Sequence, residues 1–202
     1  MELRGKFIVF EGLDFTGKST QVTLLAERLT QVGYSVITTR EPGGTPLGEA
    51  VRKVILSTKN VDLLPFSELL LFITCRAQLS VEVTAPALEE GKVVLSSRYR
   101  LSSLAYQGYG RGIDLGLIRR LNESATGGRH PDLTFLIDLP AKIALARKRG
   151  KGDRIEGEDI VFYQHVRQGY LKLAQDDPLI HRIDGTQSVR QIAQAVASYL
   201  NL

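Results

Sequence analysis

Residues Gly12 to Ser19 read Gly-Leu-Asp-Phe-Thr-Gly-Lys-Ser, which fits the spacing G-x-x-x-x-G-K-[ST] between an apolar run and a helical pattern. Glycines let the main chain curl around phosphate oxygens, so that successive N–H groups form an anion-binding nest. The helix that follows adds its positive N-terminal end. In that setting Lys18 reaches the terminal phosphates of a nucleoside triphosphate and Ser19 offers its hydroxyl to Mg2+. Gly12, Leu13, Asp14, Phe15, Thr16, Gly17, Lys18, Ser19 and Thr20 are therefore the expected triphosphate-binding residues, with Mg2+ as the cofactor carried by the nucleotide. Phosphoryl transfer asks for two substrates in line, a metal, and positive charge around the moving group. An acceptor site must therefore face this loop.

Three further clusters could build that site. Arg98 follows the apolar run Val93-Val94-Leu95, where a guanidinium could grip an acceptor phosphate with paired hydrogen bonds. Position alone also allows a plain surface arginine. Phe72 and Arg76 stand one helical turn apart, so a flat ring and a fork of donors share a face suited to a planar base. A core phenylalanine beside a snorkelling arginine has the same spacing. Arg147-Lys148-Arg149-Gly150-Lys151-Gly152-Asp153-Arg154 is a basic run holding two glycines. It reads either as solvated surface or as a flap that closes over phosphates and strengthens each charge contact by excluding water. The carboxylate partner of the metal stays open. The third apolar run ends in Ser96-Ser97, and the fourth ends in Asp138, a residue type equally at home as a helix cap.

These residues need a scaffold that gathers strand ends. Strands are expected at Phe7–Phe10, Tyr34–Thr39, Lys92–Ser96, Leu133–Ile137 and Leu179–Ile183. Helices are expected after the glycine-rich loop, from Pro46 to near Leu56, from Pro65 to Glu90 with an interruption at Pro86, and over Leu115–Ala125, Ala141–Arg149, Asp159–Ala174 and Val189–Leu200. Strands alternating with helices imply an α/β fold around a mainly parallel sheet covered on both faces, with ligands at the carboxyl ends of the strands. No repeat, low-complexity segment or composition shift divides the chain, so residues 1–202 read as a single domain.

An apolar content of 43% and a charged content of 24% are those of an ordinary soluble globule. No apolar run nears the roughly 20 residues that span a bilayer, and the first residues lack a signal-peptide pattern. One cysteine allows no internal disulfide, which matches a reducing cytoplasm, and Cys75 lies in an apolar helix where packing is its expected part. The net charge of +4 favours anionic partners only weakly. An Asn-Lys-x-Asp guanine-reading motif does not occur, which argues against a GTP switch. The arginines gather at the predicted substrate site rather than along a stripe, which argues against nucleic acid.

Taken together the motifs are those of a known family. Phe10-Glu11-Gly12-Leu13-Asp14, Thr39-Arg40-Glu41-Pro42-Gly43-Gly44-Thr45, Leu71-Phe72 with Arg76-Ala77-Gln78, Arg98-Tyr99, Ser102-Ser103-Leu104-Ala105-Tyr106-Gln107-Gly108, Pro131-Asp132-Leu133-Thr134 and Asp153-Arg154-Ile155-Glu156 span nearly the whole chain. The chain resembles the thymidylate kinases, P-loop nucleoside-monophosphate kinases that make dTDP from dTMP and ATP. The resemblance implies a three-layer P-loop kinase fold with a five-stranded sheet, a short lid over about residues 147–157, and a homodimer formed through helices beside the sheet. It implies that Asp14 faces the acceptor's 3′-hydroxyl, Phe72 stacks on thymine, Arg76 bonds its exocyclic oxygen, and Arg98 holds the dTMP phosphate. Tyr106 would lie against the deoxyribose and favour deoxynucleotides, with Ser103, Gln107, Glu41 and Glu156 completing the dTMP pocket.

Two positions depart from the family pattern. Some members carry an arginine inside the P-loop, but position 15 is Phe, so Arg149 or Arg154 of the lid is expected to neutralise the transferring phosphoryl group. The family's aspartate before Arg98 is Ser97 here. That loss of charge is the one argument for a catalytically weakened nucleotide-binding homologue. Lys18, Asp14, Arg98, Arg149 and Arg154 are the expected catalytic set, with Ser19 on the metal.

Overall fold

The computed structural model describes residues 2–202. Strands β1 (Phe7–Glu11), β2 (Val36–Arg40), β3 (Val93–Ser97), β4 (Leu133–Asp138) and β5 (Ile180–Asp184) form one parallel sheet in the order β2-β3-β1-β4-β5. β1, β3 and β4 are buried along their whole length, with no inside–outside alternation. That is the pattern of strands covered on both faces. On one face, α1 (Lys18–Gln31) and α9 (Val189–Tyr199) lay Val22, Leu25, Leu29, Ile192 and Val196 against Ile8, Phe10 and Phe135. On the other, α8 (Ile160–Gln175) brings Phe162, Tyr163, Val166 and Tyr170 into a cluster with Leu136 and Ala144. The result is the three-layer P-loop kinase fold.

Register positions the site. Phe10 pairs with Ser97, and Ser97 pairs with Arg40. The chain therefore leaves β1, β2 and β3 at one level, and the segments after all three converge on one edge of the sheet. That edge lies at the carboxyl ends of the strands, where ligands collect in open α/β sheets.

Helix α2 (Pro46–Leu56) starts as its sequence dictates: Thr45 Oγ1 accepts from Gly48 N at 3.0 Å and proline holds the first position. The expected interruption at Pro86 takes a different form. Helix α3 (Pro65–Leu79) passes through a π-helical turn, Ser80–Thr84, into α4 (Ala85–Glu89), with Ala85 N reaching back to Ser80 O. The wider turn accommodates a residue that has no N–H without ending the helix. Pro65–Glu89 thus runs 25 residues with a mean hydropathy of 1.2 in its most apolar window, long and apolar enough by composition alone to cross a membrane. The apolar runs are short because Glu68 and Arg76 break them, and both are ion-paired inside the fold.

Residues 100–110 are helical, although their arginines, tyrosines and glycines carry no helical signal. α5 (Arg100–Ser103) runs directly into a second π-helical stretch, Leu104–Gly110. Gly108 and Gly110 serve packing here rather than a loop. A Cβ would lie 2.4 Å from the Leu115 side chain at the first and 2.7 Å from the Phe162 ring at the second. The remaining helices are α6 (Leu115–Thr126) and α7 (Ala141–Ala146), the latter a turn shorter than the sequence suggests.

Candidate active site

The loop between β1 and α1 is built on positive-φ glycines. Gly12 has φ 138°, and a Cβ there would meet Ile137 O at 2.5 Å. Gly17, at φ 90°, precedes α1, which begins with no side-chain cap and so leaves its first N–H groups for another partner. Phe15 adopts φ 64°, a left-handed conformation that costs a non-glycine residue about 1 kcal/mol. Leu13 O accepts from Thr16 Oγ1 at 3.0 Å and from Lys18 Nζ at 2.5 Å. Burial, reinforced by Arg98, pushes the Lys18 ammonium down to about 7 against the opposing pull of Asp14 and Glu11.

This loop forms one wall of a cavity of about 340 Å³. Asp14, Phe15, Gly17, Lys18, Ser19 and Thr20 line it from the loop side. Arg40, Glu41 and Pro42 contribute from the end of β2, Arg52 from α2, Phe72 from α3, and Ser97 and Arg98 from the end of β3. Ser102, Ser103, Tyr106 and Gln107 form the opposite wall, and Asp153, Ile155 and Glu156 reach in from the segment after α7.

Arg98 is the centre of this wall. Its backbone is left-handed, at φ 76°, and its side chain is 14% exposed. Nη2 donates to Asp14 Oδ1 at 2.5 Å and to Tyr106 Oη at 3.1 Å, while Nη1 faces Gly12 O, Ser102 Oγ and Tyr170 Oη at 3.0–3.3 Å. Burial opposes its charge, but Tyr106, Asp14, Tyr170 and Glu11 hold its pKa above the usual arginine value. Asp14 also accepts from Tyr106 Oη at 2.8 Å and Tyr163 Oη at 3.2 Å. Burial pushes Asp14 upward, yet Arg98, Lys18 and Tyr106 outweigh it and hold the carboxyl below the ordinary aspartate value. Asp14 is therefore an anion at neutral pH.

Three sequence-expected residues stand away from the cavity. Arg76 is 1% exposed, and its five N–H donors are all engaged: Nε and Nη2 with Glu41 Oε2, Nη1 with Ser103 Oγ and Asn122 Oδ1, and Nη2 with the Tyr99 carbonyl. It has no free donor for a base and sits one layer behind Glu41 and Ser103, which do line the cavity. Arg154 donates Nε to Ile55 O and Nη2 to Glu68 Oε2 and does not line the cavity. Arg149 is exposed and outside the cavity wall. Phe72 is half-buried on the wall. The two candidate metal carboxylate positions also separate: Ser97 lines the cavity, whereas Asp138 binds Arg167 and Arg182 and does neither that nor cap α7.

The segment 147–157 is tied at both ends: Arg147 Nη2 donates to Gly185 O at 3.1 Å and Lys148 Nζ to Glu156 O at 2.6 Å at its start. Asp153 Oδ1 accepts from Ile155 N and Glu156 N, Glu156 Oε2 accepts from Asp153 N, and Arg154 N donates to Leu56 O. Arg149, Gly150 and Lys151 are exposed. Sequence reasoning missed Glu11, Ser102, Tyr163, Tyr170, Arg52 and Glu68. Glu11 did carry a signal, being a lone acid closing an apolar strand. Tyr163 and Tyr170, two turns apart, share one face of α8.

The geometry joins a triphosphate loop to a separate basic and aromatic pocket across one cavity, and comparisons with known proteins agree. A family profile described as thymidylate kinase matches residues 10–196. The chain belongs to the thymidylate kinase family. It is 46% identical to the thymidylate kinase of Caldanaerobacter subterraneus subsp. tengcongensis, with 98% of each chain covered. To that of Desulforudis audaxviator it is 50% identical, covering 87% of this chain and 80% of the relative. The crystal structure of thymidylate kinase from Ehrlichia chaffeensis superposes with a TM-score of 0.80 at 37% identity, covering 98% of each chain. Thymidylate kinase membership thus extends along essentially the whole chain and makes it a phosphotransferase.

Proposed function

We propose that the cavity transfers the γ-phosphoryl group of ATP to the phosphate of dTMP, giving dTDP. The observation that carries this reading is the Arg98–Asp14–Tyr106 cluster, which shares one cavity with Lys18 and Ser19. ADP production with dTMP, dUMP, dCMP and the ribonucleotide of thymine, each with and without Mg2+, tests it. Turnover greatest with dTMP and dependent on Mg2+ is the expected result; equal turnover of all four would remove the substrate assignment.

Gly12–Thr20 bind the triphosphate through main-chain N–H groups, and Lys18 exchanges its contact with Leu13 O for the β- and γ-phosphates. Arg98 holds the acceptor phosphate, Asp14 receives the 3′-hydroxyl, and Tyr106 packs against the sugar. Phe72 stacks on the base, whose edge meets Ser103, Gln107 and Glu41, while Glu156 closes the rim. Arg76 acts through Glu41 and Ser103. Of the two lid arginines, Arg149 is the one free to meet the transferring group, because Arg154 is tied to Glu68.

For the metal, Ser19 is exposed at the start of α1 and lines the cavity. Among the described residues no group of three His, Cys, Asp or Glu side chains could hold a metal ion. This donor set suits an ion delivered with the triphosphate and touching protein chiefly at Ser19. Bound there, Mg2+ would supply neutralising charge to the triphosphate.

Residues 1–202 act as one domain with residues 147–157 as its lid. A second copy of the chain covers the apolar surface of α2 and α3, where Leu47 and Val54 lie two turns apart, Phe66 and Leu70 one turn apart, and all four are 40–48% exposed. Light scattering on the purified chain, alone and with Leu70→Asp, checks the homodimer. A cytoplasmic setting accords with the single buried cysteine.

A further inference from the structure

Glu11 closes β1 with its side chain fully buried, and four donors converge on it. Oε1 accepts from Tyr99 N at 2.8 Å and Ser102 N at 3.2 Å, and Oε2 accepts from Ser102 Oγ at 2.6 Å and Tyr170 Oη at 2.9 Å. The first pair clamps the turn that carries Arg98 in its left-handed conformation and starts α5. The second pair comes from two hydroxyls that also lie 2.8 Å from each other, so their two protons are held by Glu11 and by that mutual contact. Each hydroxyl has one proton, and a carboxylate can only accept. With both protons held by Glu11 or between the two hydroxyls, the oxygens of Ser102 and Tyr170 offer lone pairs to Arg98 Nη1, at 3.0 and 3.3 Å. Burial and the nearby Glu11 hold the Tyr170 phenol well above its usual pKa, so that proton is present throughout the neutral range.

We propose that Glu11 is a positioning residue for the acceptor phosphate: through Ser102 and Tyr170 it sets the plane of the Arg98 guanidinium before substrate arrives. The inference rests on the reading that Arg98 holds that phosphate. Asp14 orients the other guanidinium nitrogen directly, so the two carboxylates fix Arg98 from two sides. Glu11→Gln keeps the shape and reverses the polarity. Its amide NH2 faces either the two main-chain N–H groups, donor against donor, or the two hydroxyls, at least one of which then turns its proton toward Arg98.

The test is calorimetric binding of dTMP, thymidine and ATP to the parent chain, Glu11→Gln, Tyr170→Phe, Arg98→Ala and the Glu11→Gln/Arg98→Ala double variant, with melting curves for each. The expected result is roughly tenfold weaker dTMP binding in Glu11→Gln, the scale of one charge-assisted hydrogen bond, and a smaller loss in Tyr170→Phe. Thymidine and ATP affinities stay unchanged, and the double variant binds dTMP no more weakly than Arg98→Ala. Should Glu11→Gln fail to fold, Tyr170→Phe, which leaves Glu11 three donors, carries the same comparison. Full dTMP affinity in Glu11→Gln or, if that variant does not fold, in Tyr170→Phe, or an equal loss for thymidine, overturns the positioning role while Arg98→Ala still binds dTMP poorly. Full dTMP affinity in Arg98→Ala overturns the phosphate reading itself, and the role of Glu11 with it.

Discussion

Arg154 Nη2 donates to Glu68 Oε2 at 2.5 Å, with the two side chains only 8% and 1% exposed. Glu68 also accepts from Gln107 Nε2 at 2.8 Å and from Arg111, so a single carboxylate on α3 joins the segment after α7 to the wall that carries Tyr106. Arg154 is thereby an anchor, and under the proposed function Arg149 is the lid arginine left to meet the transferring group.

Substituting the two arginines separates these duties. Arg154→Ala leaves Glu68 short of one buried partner and is expected to cost about 3 kcal/mol, the lower end for a broken buried pair because Arg111 and Gln107 remain. That corresponds to a melting temperature lower by roughly 6–12 °C for a chain of this size. Arg149→Ala, at an exposed position, is expected to melt with the parent and to lose on the order of a thousandfold in turnover, the lower end of what a transferring-group arginine supplies. Full turnover in Arg149→Ala, with a loss in Arg154→Ala at unchanged melting temperature, would reverse the assignment.

Tyr106 combines two functions that one substitution can split. Its ring lines the cavity, and its hydroxyl bridges Asp14 and Arg98. Tyr106→Phe keeps the ring and is expected to raise the dTMP KM roughly fivefold to thirtyfold, the scale of one or two lost hydrogen bonds, with the preference for deoxy over ribo acceptor intact. Tyr106→Ala is expected to lose that preference. Steady-state kinetics with both acceptors decide the matter, and relaxed sugar discrimination in Tyr106→Phe would show that the hydroxyl, not the ring, faces the 2′ position.

The parts of this arrangement that are local in sequence were legible in it. β1 announces itself as a short apolar run, the P-loop as a fixed spacing, and the start of α2 as Thr45-Pro46. What could not be read joins distant positions. Glu68 and Arg154 lie 86 residues apart, and no pattern in either neighbourhood names the other. The same holds for Arg76, whose spacing from Phe72 pointed correctly to a shared face but not to Glu41, Ser103 and Asn122 using up its donors. The helix at 100–110 was hidden for another reason: its glycines reflect close approach by Leu115 and Phe162, and intrinsic propensity cannot show that.

Ser97 lines the cavity at the level where β1 and β3 end, beside Arg98 and opposite Ser19 in the loop wall. An aspartate there would add a carboxylate to a site where the proposed protein metal ligand is the Ser19 hydroxyl. Ser97→Asp is accordingly expected to shift the Mg2+ dependence of turnover to lower concentration, roughly tenfold for one added charge contact. Superimposable Mg2+ titrations of the two chains would place residue 97 outside the metal's reach.

Lys18 is expected to set the pH dependence of nucleotide binding. Without ligand its ammonium is depressed to about 7, by burial first and by Arg98 second. A triphosphate brings several negative charges to Nζ and raises that value, since an opposite charge favours the charged form. ATP binding must then take up a proton wherever free Lys18 is neutral and bound Lys18 is not. Uptake is expected to be near zero at about pH 6 and to approach one proton per site at about pH 8, where the phosphates of ATP are already ionised. Affinity falls in parallel as pH rises above about 7, with a limiting slope of about tenfold per unit. Calorimetry in two buffers of different ionisation enthalpy measures the uptake directly. Lys18→Arg, whose guanidinium keeps its charge across this range, is expected to bind ATP with no uptake at either pH. An uptake that persists in that variant would assign the titrating group to another residue of the cavity.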